Sequence, residues 1–299
     1  MDFWRRATNP WDQDILIGIA WDLMWAAAIV GVVFLSGHAL YMWLLAPKKK
    51  LNAPVDPNEA AAGLPDRIVR HTVAARAFHW LMSVAMFVLL ITAFFPVVGI
   101  QFAWVTIHWI AGLGLLLTVI YHIVHSIFWQ DLRSMWISKE EVKGAAGEVA
   151  RFFKRSGEPD SKPGKYPLDH KLYHHSIIVV TTLAIATGLL MMFRVDTPFW
   201  ARNPYLLSDQ LWGVVYVVHG LSGVALITLV MAHIYFAIRP EKLWITRSMI
   251  KGWVRRDEYL EHHDPKRWVV KGEGPPTLTG VTGSAQLREG VPQDKRSNN

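Results

Sequence analysis

The stretch QLWGVVYVVHGLSGVALITLVMAHIYFAI, residues 210–238, decides the fold of this chain. It carries no charged residue and is long enough to cross a lipid bilayer as one helix. His219 and His233 lie fourteen residues apart within it. In a helix, that spacing returns to within about 40° of the starting direction and advances about 21 Å, so both imidazoles face one side. A polar ring inside a bilayer is energetically costly and usually has a function. The two histidines therefore indicate a functional site at each of two depths in the membrane.

The composition of the whole chain is typical of a membrane protein. Apolar residues make up 52% of the 299 residues, and fifteen Trp residues suit the aromatic belts of membrane helices. The absence of Cys excludes disulfides, iron–sulfur clusters, covalent haem attachment and thiolate metal sites within this sequence. The thirteen His residues are therefore the main candidates for metal ligands.

Four further segments are apolar and long enough to span a bilayer. Together with 211–238, the predicted spans are about 15–45, 78–96, 105–129 and 172–193. The first segment has no cleavage pattern and is expected to be retained. We therefore predict an all-α integral membrane protein with five transmembrane helices. Its parts are an N-terminal helix and cytoplasmic linker (1–65), a four-helix domain (66–270) and a polar tail (271–299) whose composition predicts disorder.

The distribution of positive charge predicts the orientation of these helices. Six Lys and Arg residues fall in 47–77, nine in 131–171 and twelve after 238, against four in the segments expected on the other side. By the positive-inside rule, the N-terminus is outside and the C-terminus is cytoplasmic, in the inner membrane of a bacterium. The net charge of +7 thus reflects topology and contact with membrane lipids, and predicts no nucleic-acid partner.

Placing the histidines by depth yields two layers. His108 and His219 come near the outer side, and His233 comes near the cytoplasmic side together with His79 or His122. A haem b held by two imidazoles needs one His from each of two helices, so each layer predicts one haem. Spacing leaves the inner partner open, because His108 and His122 are also fourteen residues apart.

Small residues beside these histidines predict room for a flat cofactor. Gly112, Gly220 and Gly223 are the candidates for haem packing. We expect His38 to be structural, and His122 and His125 to line a quinone or propionate region or simply to pack. His174 and His175 are expected to begin a solvated helix end, with a role at a quinone as the alternative. The remaining histidines, His71, His262 and His263, are expected at the surface.

Residues from about Asp66 to Trp268 resemble the cytochrome b, or gamma, subunit of membrane-bound respiratory formate dehydrogenases. The matching segments are Arg76-Ala-Phe-His79-Trp80, His108-Trp-Ile-Ala-Gly112, Pro163-Gly-Lys-Tyr166, His219-Gly-Leu-Ser-Gly223, Ala232-His233-Ile-Tyr235, Ser248-Met-Ile-Lys-Gly252 and His262-His263-Asp-Pro-Lys-Arg-Trp268. The resemblance implies a four-helix dihaem cytochrome b bundle plus one extra N-terminal span. It also implies His108 with His219 as outer ligands and His79 with His233 as inner ligands, which favours His79 over His122.

The resemblance further implies a role in electron transfer. Electrons would come from an iron–sulfur subunit and a molybdenum or tungsten catalytic subunit outside, and would pass through two haems b to a quinone near the cytoplasmic side, contributing to membrane potential. Trp109 stands where the family commonly has proline. Pro167-Leu-Asp169-His170 stands where Asn and Gly are common, so the family's quinone contacts do not carry over residue by residue, and Asp169 and His170 are the candidates for proton delivery.

Other functions are kept as alternatives at this point. The sequence contains no substrate-oxidising site of its own, so the catalytic partner could oxidise formate, hydrogen or a sulfur compound. A haem-free membrane anchor would leave the paired histidines without a purpose. A transporter is disfavoured because no Asp or Glu falls within predicted spans two to five.

Overall fold

Five long apolar helices dominate the computed structural model, which describes residues 3–44, 64–144 and 162–270. They are α1 (Trp21–Leu44), α2 (Val73–Phe94), α3 (Trp104–Trp129), α4 (Leu168–Met192) and α5 (Asp209–Ile238). Each is long and apolar enough to cross a membrane. The prediction of a helical, multi-pass membrane protein with five spans is confirmed. The predicted tail 271–299 and most of the predicted linker lie outside the described residues.

Polar caps set the starts of two helices. The hydroxyl of Thr72 accepts a hydrogen bond from the backbone N–H of Ala75 at the start of α2, and Ser208 caps Leu211 in the same way at the start of α5. Such caps satisfy backbone N–H groups that a helix start leaves unpaired. For this reason α2 begins five residues before the predicted span at 78 and includes the charged Arg76.

An antiparallel hairpin precedes α1 and was not predicted. Strand β1 (Trp4–Thr8) pairs with β2 (Asp14–Ile19), so the expectation of a helix from residue 15 is wrong. Asn9 closes the turn by accepting hydrogen bonds from the backbone of Trp11 and Gln13. Gly18 has a φ of 149°, a backbone conformation that favours glycine and excludes helix. An apolar run this short suits a strand and a helix equally well, so the turn decides between them.

The hairpin packs on the first turns of α5, at what we call the hairpin end of the molecule. A Cβ added at Gly213 would lie 2.7 Å from the Leu16 side chain, and one added at Gly220 would lie 2.9 Å from Ile19. The side-chain amide of Asn9 donates to the carboxylate of Asp209 over 3.1 Å. Two glycines on one face of α5 therefore let β2 lie directly against the helix.

The helices form a bundle of two close pairs. α2 packs along α3 and α4 packs along α5, whereas contacts between α3 and α4 and between α2 and α5 are sparse. Met86, Leu115 and Leu226 form the buried cluster at the middle of the bundle. α1 lies outside the four helices and contacts α5, where His38 Nδ1 and the Tyr235 hydroxyl are 2.8 Å apart. This hydrogen bond gives His38 a structural partner between the two helices.

The opposite end carries a small folded cap, which defines the cap end. It consists of β3 (Arg67–Val69) paired with β4 (Trp253–Arg255), and of α6 (Leu243–Lys251) and α7 (Arg256–His262). Ile68, Val254 and Tyr259 form its core. The cap closes the ends of α2 and α5 that carry His79 and His233.

His263 lies inside this cap, which corrects the expectation that it is a surface residue. Its side chain is 1% exposed, Nδ1 donates to the carbonyl of Gly164 over 2.7 Å, and Nε2 accepts from the Arg70 guanidinium at 2.9 Å. Burial, with the charge of Arg70 beside it, lowers the pKa of His263 to about 4. The neutral imidazole thus bridges β3, the 162–167 segment and α7.

Candidate functional site

His108 on α3 and His219 on α5 face each other near the hairpin end. Their ring centroids are 6.1 Å apart and their planes make an angle of 73°. A cavity of about 310 Å³ lies at this pair, and residues of α2, α3, α4 and α5 all line it. Apart from the two imidazoles and Arg194, the side chains around it are largely apolar. The cavity therefore offers two nitrogen ligands inside an apolar enclosure.

Each of these histidines is oriented by a threonine. The Thr92 hydroxyl donates to the carbonyl of Val88 over 2.7 Å and lies 2.8 Å from His108 Nδ1. The Thr187 hydroxyl donates to the carbonyl of Leu183 over 2.6 Å and lies 2.9 Å from His219 Nδ1. Since a hydroxyl has one proton, each threonine oxygen accepts from the imidazole Nδ1–H.

This arrangement selects the tautomer of both imidazoles. A proton on Nδ1 leaves the lone pair on Nε2, which is the state that a metal ligand requires. Sequence reasoning missed Thr92 and Thr187. The sequence carries no signal for them, because each reaches its histidine from another helix.

Three glycines stand at the cavity, although only two of them were predicted. Gly112 and Gly223 line it, and so does Gly188, whose added Cβ would lie 3.3 Å from His219 Cε1. Gly220 does not line the cavity. It faces Ile19 of β2, where the missing side chain lets the hairpin pack closely, and its role in haem packing stays a prediction.

His79 on α2 and His233 on α5 form a second pair near the cap end. Their ring centroids are 6.2 Å apart, with an angle of 49° between the planes. Tyr173 stacks on His233 with centroids 5.2 Å apart. The Nδ1 atom of His79 is buried and has no hydrogen-bond partner in the described ranges. The geometry thus places His79 opposite His233.

His122 occupies a different place at the cap end. Its ring stacks on Phe78 with centroids 4.0 Å apart, and it faces His174 of α4 with centroids 6.2 Å apart. The structure therefore brings His122 together with His174 and not with His233.

Both pairs fit a haem held by two imidazoles. Two iron–nitrogen bonds of about 2 Å, with about 1 Å from each nitrogen to its ring centre, separate the ring centres by about 6 Å. The separations of 6.1 and 6.2 Å agree with this value. The neutral nitrogen donors, the glycines and the apolar cavity walls fit the same group.

Asp169 and His170 lie in the first turn of α4 at the cap end. The carboxylate of Asp169 is 3.9 Å from His170 Nε2, and the Asp169 side chain is 66% exposed. The next residue, Lys171, is buried and forms an ion pair of 2.8 Å with Glu141. Titratable groups thus reach from the exposed edge of the bundle to within one turn of His174.

Comparison with known proteins covers the region that holds both histidine pairs. Residues 70–252 match the prokaryotic cytochrome b561 family. The cytochrome b556 subunit of formate dehydrogenase from Haemophilus influenzae is 25% identical over 220 residues, which cover 68% of this chain and 82% of that protein. The cytochrome b556(fdo) subunit of formate dehydrogenase from Escherichia coli is 24% identical over 217 residues, covering 68% and 92%. Since the family match covers more than half of this chain, the chain belongs to the prokaryotic cytochrome b561 family.

Proposed function

We propose that this chain is the membrane cytochrome b subunit of a respiratory formate dehydrogenase. It takes electrons from a partner subunit outside the membrane and delivers them to quinone near the cytoplasmic side. The observation that carries this proposal is the presence of two facing histidine pairs at two depths, both using α5. The names of the similar proteins support formate as the electron source.

His108 and His219 hold one haem b in this proposal, and His79 and His233 hold the other. The separation of each pair supports the assignment, and the pairing of His122 with His174 supports His79 as the ligand opposite His233. Each haem supplies a one-electron redox centre when bound. The four histidines would hold the iron, and Thr92 and Thr187 leave Nε2 of the hairpin-end imidazoles free for it. The apolar helix faces would exclude water from the group.

The charge distribution supports the direction of transfer. Twenty-seven of the thirty-one Lys and Arg residues fall in the sequence segments 47–77, 131–171 and 239–299. The described parts of these segments lie at the cap end, so we assign that end to the cytoplasm and the hairpin end to the outside. The fourteen-residue spacing on α5 then separates the two levels by about 21 Å across the bilayer. Electrons move inward while the protons of quinol are taken from the cytoplasm, which contributes to the membrane potential.

The partners follow from the same proposal. An iron–sulfur subunit docks at the hairpin end and connects a molybdenum or tungsten catalytic subunit to the hairpin-end pair. Quinone is reduced at the cap end, where Asp169 and His170 supply protons. The chain is thus the electron-transferring and membrane-anchoring part of an oxidoreductase complex.

The test uses the full chain purified with its partners from a bacterial membrane. We expect a b-type α band in the reduced-minus-oxidised spectrum, two haems per chain by pyridine haemochrome, and reduction of the band by formate. A preparation without a b-type band would refute the haem assignment. If hydrogen but not formate reduced the band, the assignment of formate as electron donor would be wrong, whereas the assignment of the haem sites would stand.

A further inference from the structure

We propose that Arg194 binds a propionate carboxylate of the hairpin-end haem, so that the propionate edge of this haem faces the outside of the membrane. The proposal rests on the function proposed above and deepens it. It adds a residue that binds the haem beyond the two axial histidines, and it defines the direction in which the haem lies between the helices.

The first argument is that the cavity at His108 and His219 has a polar end and an apolar end. Towards the hairpin end, Arg194, which lies two residues past the end of α4, and Tyr216 of α5 line it. Towards the cap end, the cavity reaches the buried apolar cluster at the middle of the bundle. Haem b has the same asymmetry, because propionates extend from one edge and apolar vinyl and methyl groups from the other. The cavity therefore matches one orientation of the haem.

The second argument is that Arg194 is held in place at this cavity. Among the described residues that line the cavity, Arg194 is the single Lys, Arg, Asp or Glu. Its guanidinium lies over the rings of Trp212 and Tyr216, 5.2 and 5.8 Å from their centroids. Trp212 is 1% exposed, and its indole N–H donates to the carbonyl of Pro204 over 2.9 Å. A fixed aromatic surface thus holds the guanidinium by cation–π contacts.

The third argument is that the side-chain N–H groups of Arg194 are unused. Within the described ranges, its guanidinium makes no hydrogen bond and no ion pair. Acidic residues at the same end have other partners, since Asp196 accepts from the backbone N–H of Arg202 over 2.9 Å and Asp209 accepts from the Asn9 amide over 3.1 Å. A guanidinium has five N–H donors in a planar fork that matches a carboxylate. A propionate at the polar end of the cavity supplies the acceptor that the protein does not.

This orientation has two consequences for electron transfer. The propionate edge lies on the side where electrons arrive from the partner subunit, and the apolar edge lies towards His79 and His233. An electron that reaches the haem lowers its net charge by one, and no proton is needed. The positive charge of Arg194 therefore favours the reduced form of this haem.

The experiment compares arginines of one loop in the full chain purified with its partner subunits. Arg194→Gln removes the charge, and Arg194→Lys keeps it without the planar fork. Arg202→Gln is the matched control, because the side chain of Arg202 is exposed and does not line the cavity. Each variant is made in the unmodified chain and in His79→Ala, which should leave the hairpin-end haem alone.

Three quantities are measured in each variant. Pyridine haemochrome gives the haem content, and redox titration of the b band gives the midpoint potential. Resonance Raman spectroscopy gives the frequency of the propionate bending band, which reports hydrogen bonding to the carboxylates. This band would not respond to a residue that only packs against aromatic rings.

We expect Arg194→Gln to shift the propionate band and to move the reduction equilibrium of the hairpin-end haem about tenfold towards oxidised iron, which is about 59 mV for one electron. Arg194→Lys should restore most of the potential but not the band, and Arg202→Gln should change neither.

An unchanged propionate band in Arg194→Gln would overturn the proposal and would show that Arg194 only packs on Trp212 and Tyr216. If Arg194→Gln lost the haem, the band of Arg194→Lys would decide in the same way. A complex without any b band would instead refute the function on which the proposal rests.

Discussion

His108 and His219 at the hairpin end each donate Nδ1–H to a threonine, whereas His79 and His233 at the cap end have no such partner in the described part of the chain. The ring separations of the two pairs are nearly equal, at 6.1 and 6.2 Å. The pairs thus share the spacing for ligation and differ in how the rings are held. Hydrogen bonding to the far nitrogen fixes ring orientation and makes an imidazole a stronger donor to metal. If each pair holds a haem as proposed, the difference predicts that the two haems have the same ligands and different redox potentials.

The largest expected effect is loss of one centre. His108→Ala or His219→Ala should remove the hairpin-end haem, and His79→Ala or His233→Ala the cap-end haem, because iron would keep a single imidazole. Pyridine haemochrome should fall from two haems per chain to one in each variant and stay at two in His125→Ala. If His79→Ala kept both haems while His122→Ala lost one, the cap-end pairing would be wrong.

Gly213→Val is expected to destabilise the packing of the hairpin end strongly and to leave the cap end unchanged. Its Cβ would lie 2.8 Å from the backbone oxygen of Leu16, which cannot move without displacing β2, so overpacking should cost about 1–3 kcal/mol. Limited proteolysis should then cleave the β1–β2 hairpin faster. Gly114→Val is the matched control, since nothing lies within 4 Å of its Cβ position. Equal cleavage in both variants would show that the hairpin is not held by this contact.

A smaller effect is expected on the redox potential at the hairpin end. Thr92→Val or Thr187→Val removes an acceptor worth about 0.5–1.5 kcal/mol, which for one electron corresponds to on the order of 20–60 mV. The potential should rise, because a less electron-rich imidazole stabilises oxidised iron less. Redox titration should show this shift in one of two components. Thr228→Val, whose hydroxyl bonds the Val224 carbonyl, should shift neither component.

The effect that is smallest at neutral pH, and that grows only in acid, is expected in the cap. The pKa of His263 is lowered to about 4 in the folded cap, so the unfolded chain, with an ordinary value near 6.5, binds the proton first. Stability should be full above about pH 6.5 and should decline as the pH falls towards 4, where Nε2 gains a proton facing Arg70. Thermal unfolding followed by tryptophan fluorescence should show this slope, and His263→Gln should flatten it. An unchanged slope in that variant would place the acid-sensitive group elsewhere.

Much of the helical framework could be predicted from the sequence. The spans at 105–129 and 211–238 agree with α3 and α5 to within two residues, because charge-free apolar runs of this length have few alternatives in a bilayer. The hairpin and the start of α1 could not be predicted, because the run Asp14–Ile19 carries no periodicity that separates strand from helix. The contact of Gly220 with Ile19 could not be predicted either, because the pattern within one segment does not show which strand packs beside it.

The candidate site, like the fold, could be predicted from the sequence only in part. Spacing on α3 and α5 is a property of one helix, so His108, His122, His219 and His233 could be assigned to two depths by arithmetic alone. The direction in which α2 and α4 turn their histidines depends on how helices pack against each other. Thr92, Thr187, Phe78 and Gly188 became visible only from that packing.

The sequence by itself determined the membrane class, the number of spans, the two histidine levels and the exclusion of cysteine-based cofactors, because each depends on composition or on spacing within one element. Only the tertiary structure decided that His79 faces His233, that His122 faces His174, and that threonines select the tautomer at one end and not at the other. These features depend on contacts between helices, which are governed by side-chain packing and hydrogen bonding across the bundle and leave no periodic trace in any single segment.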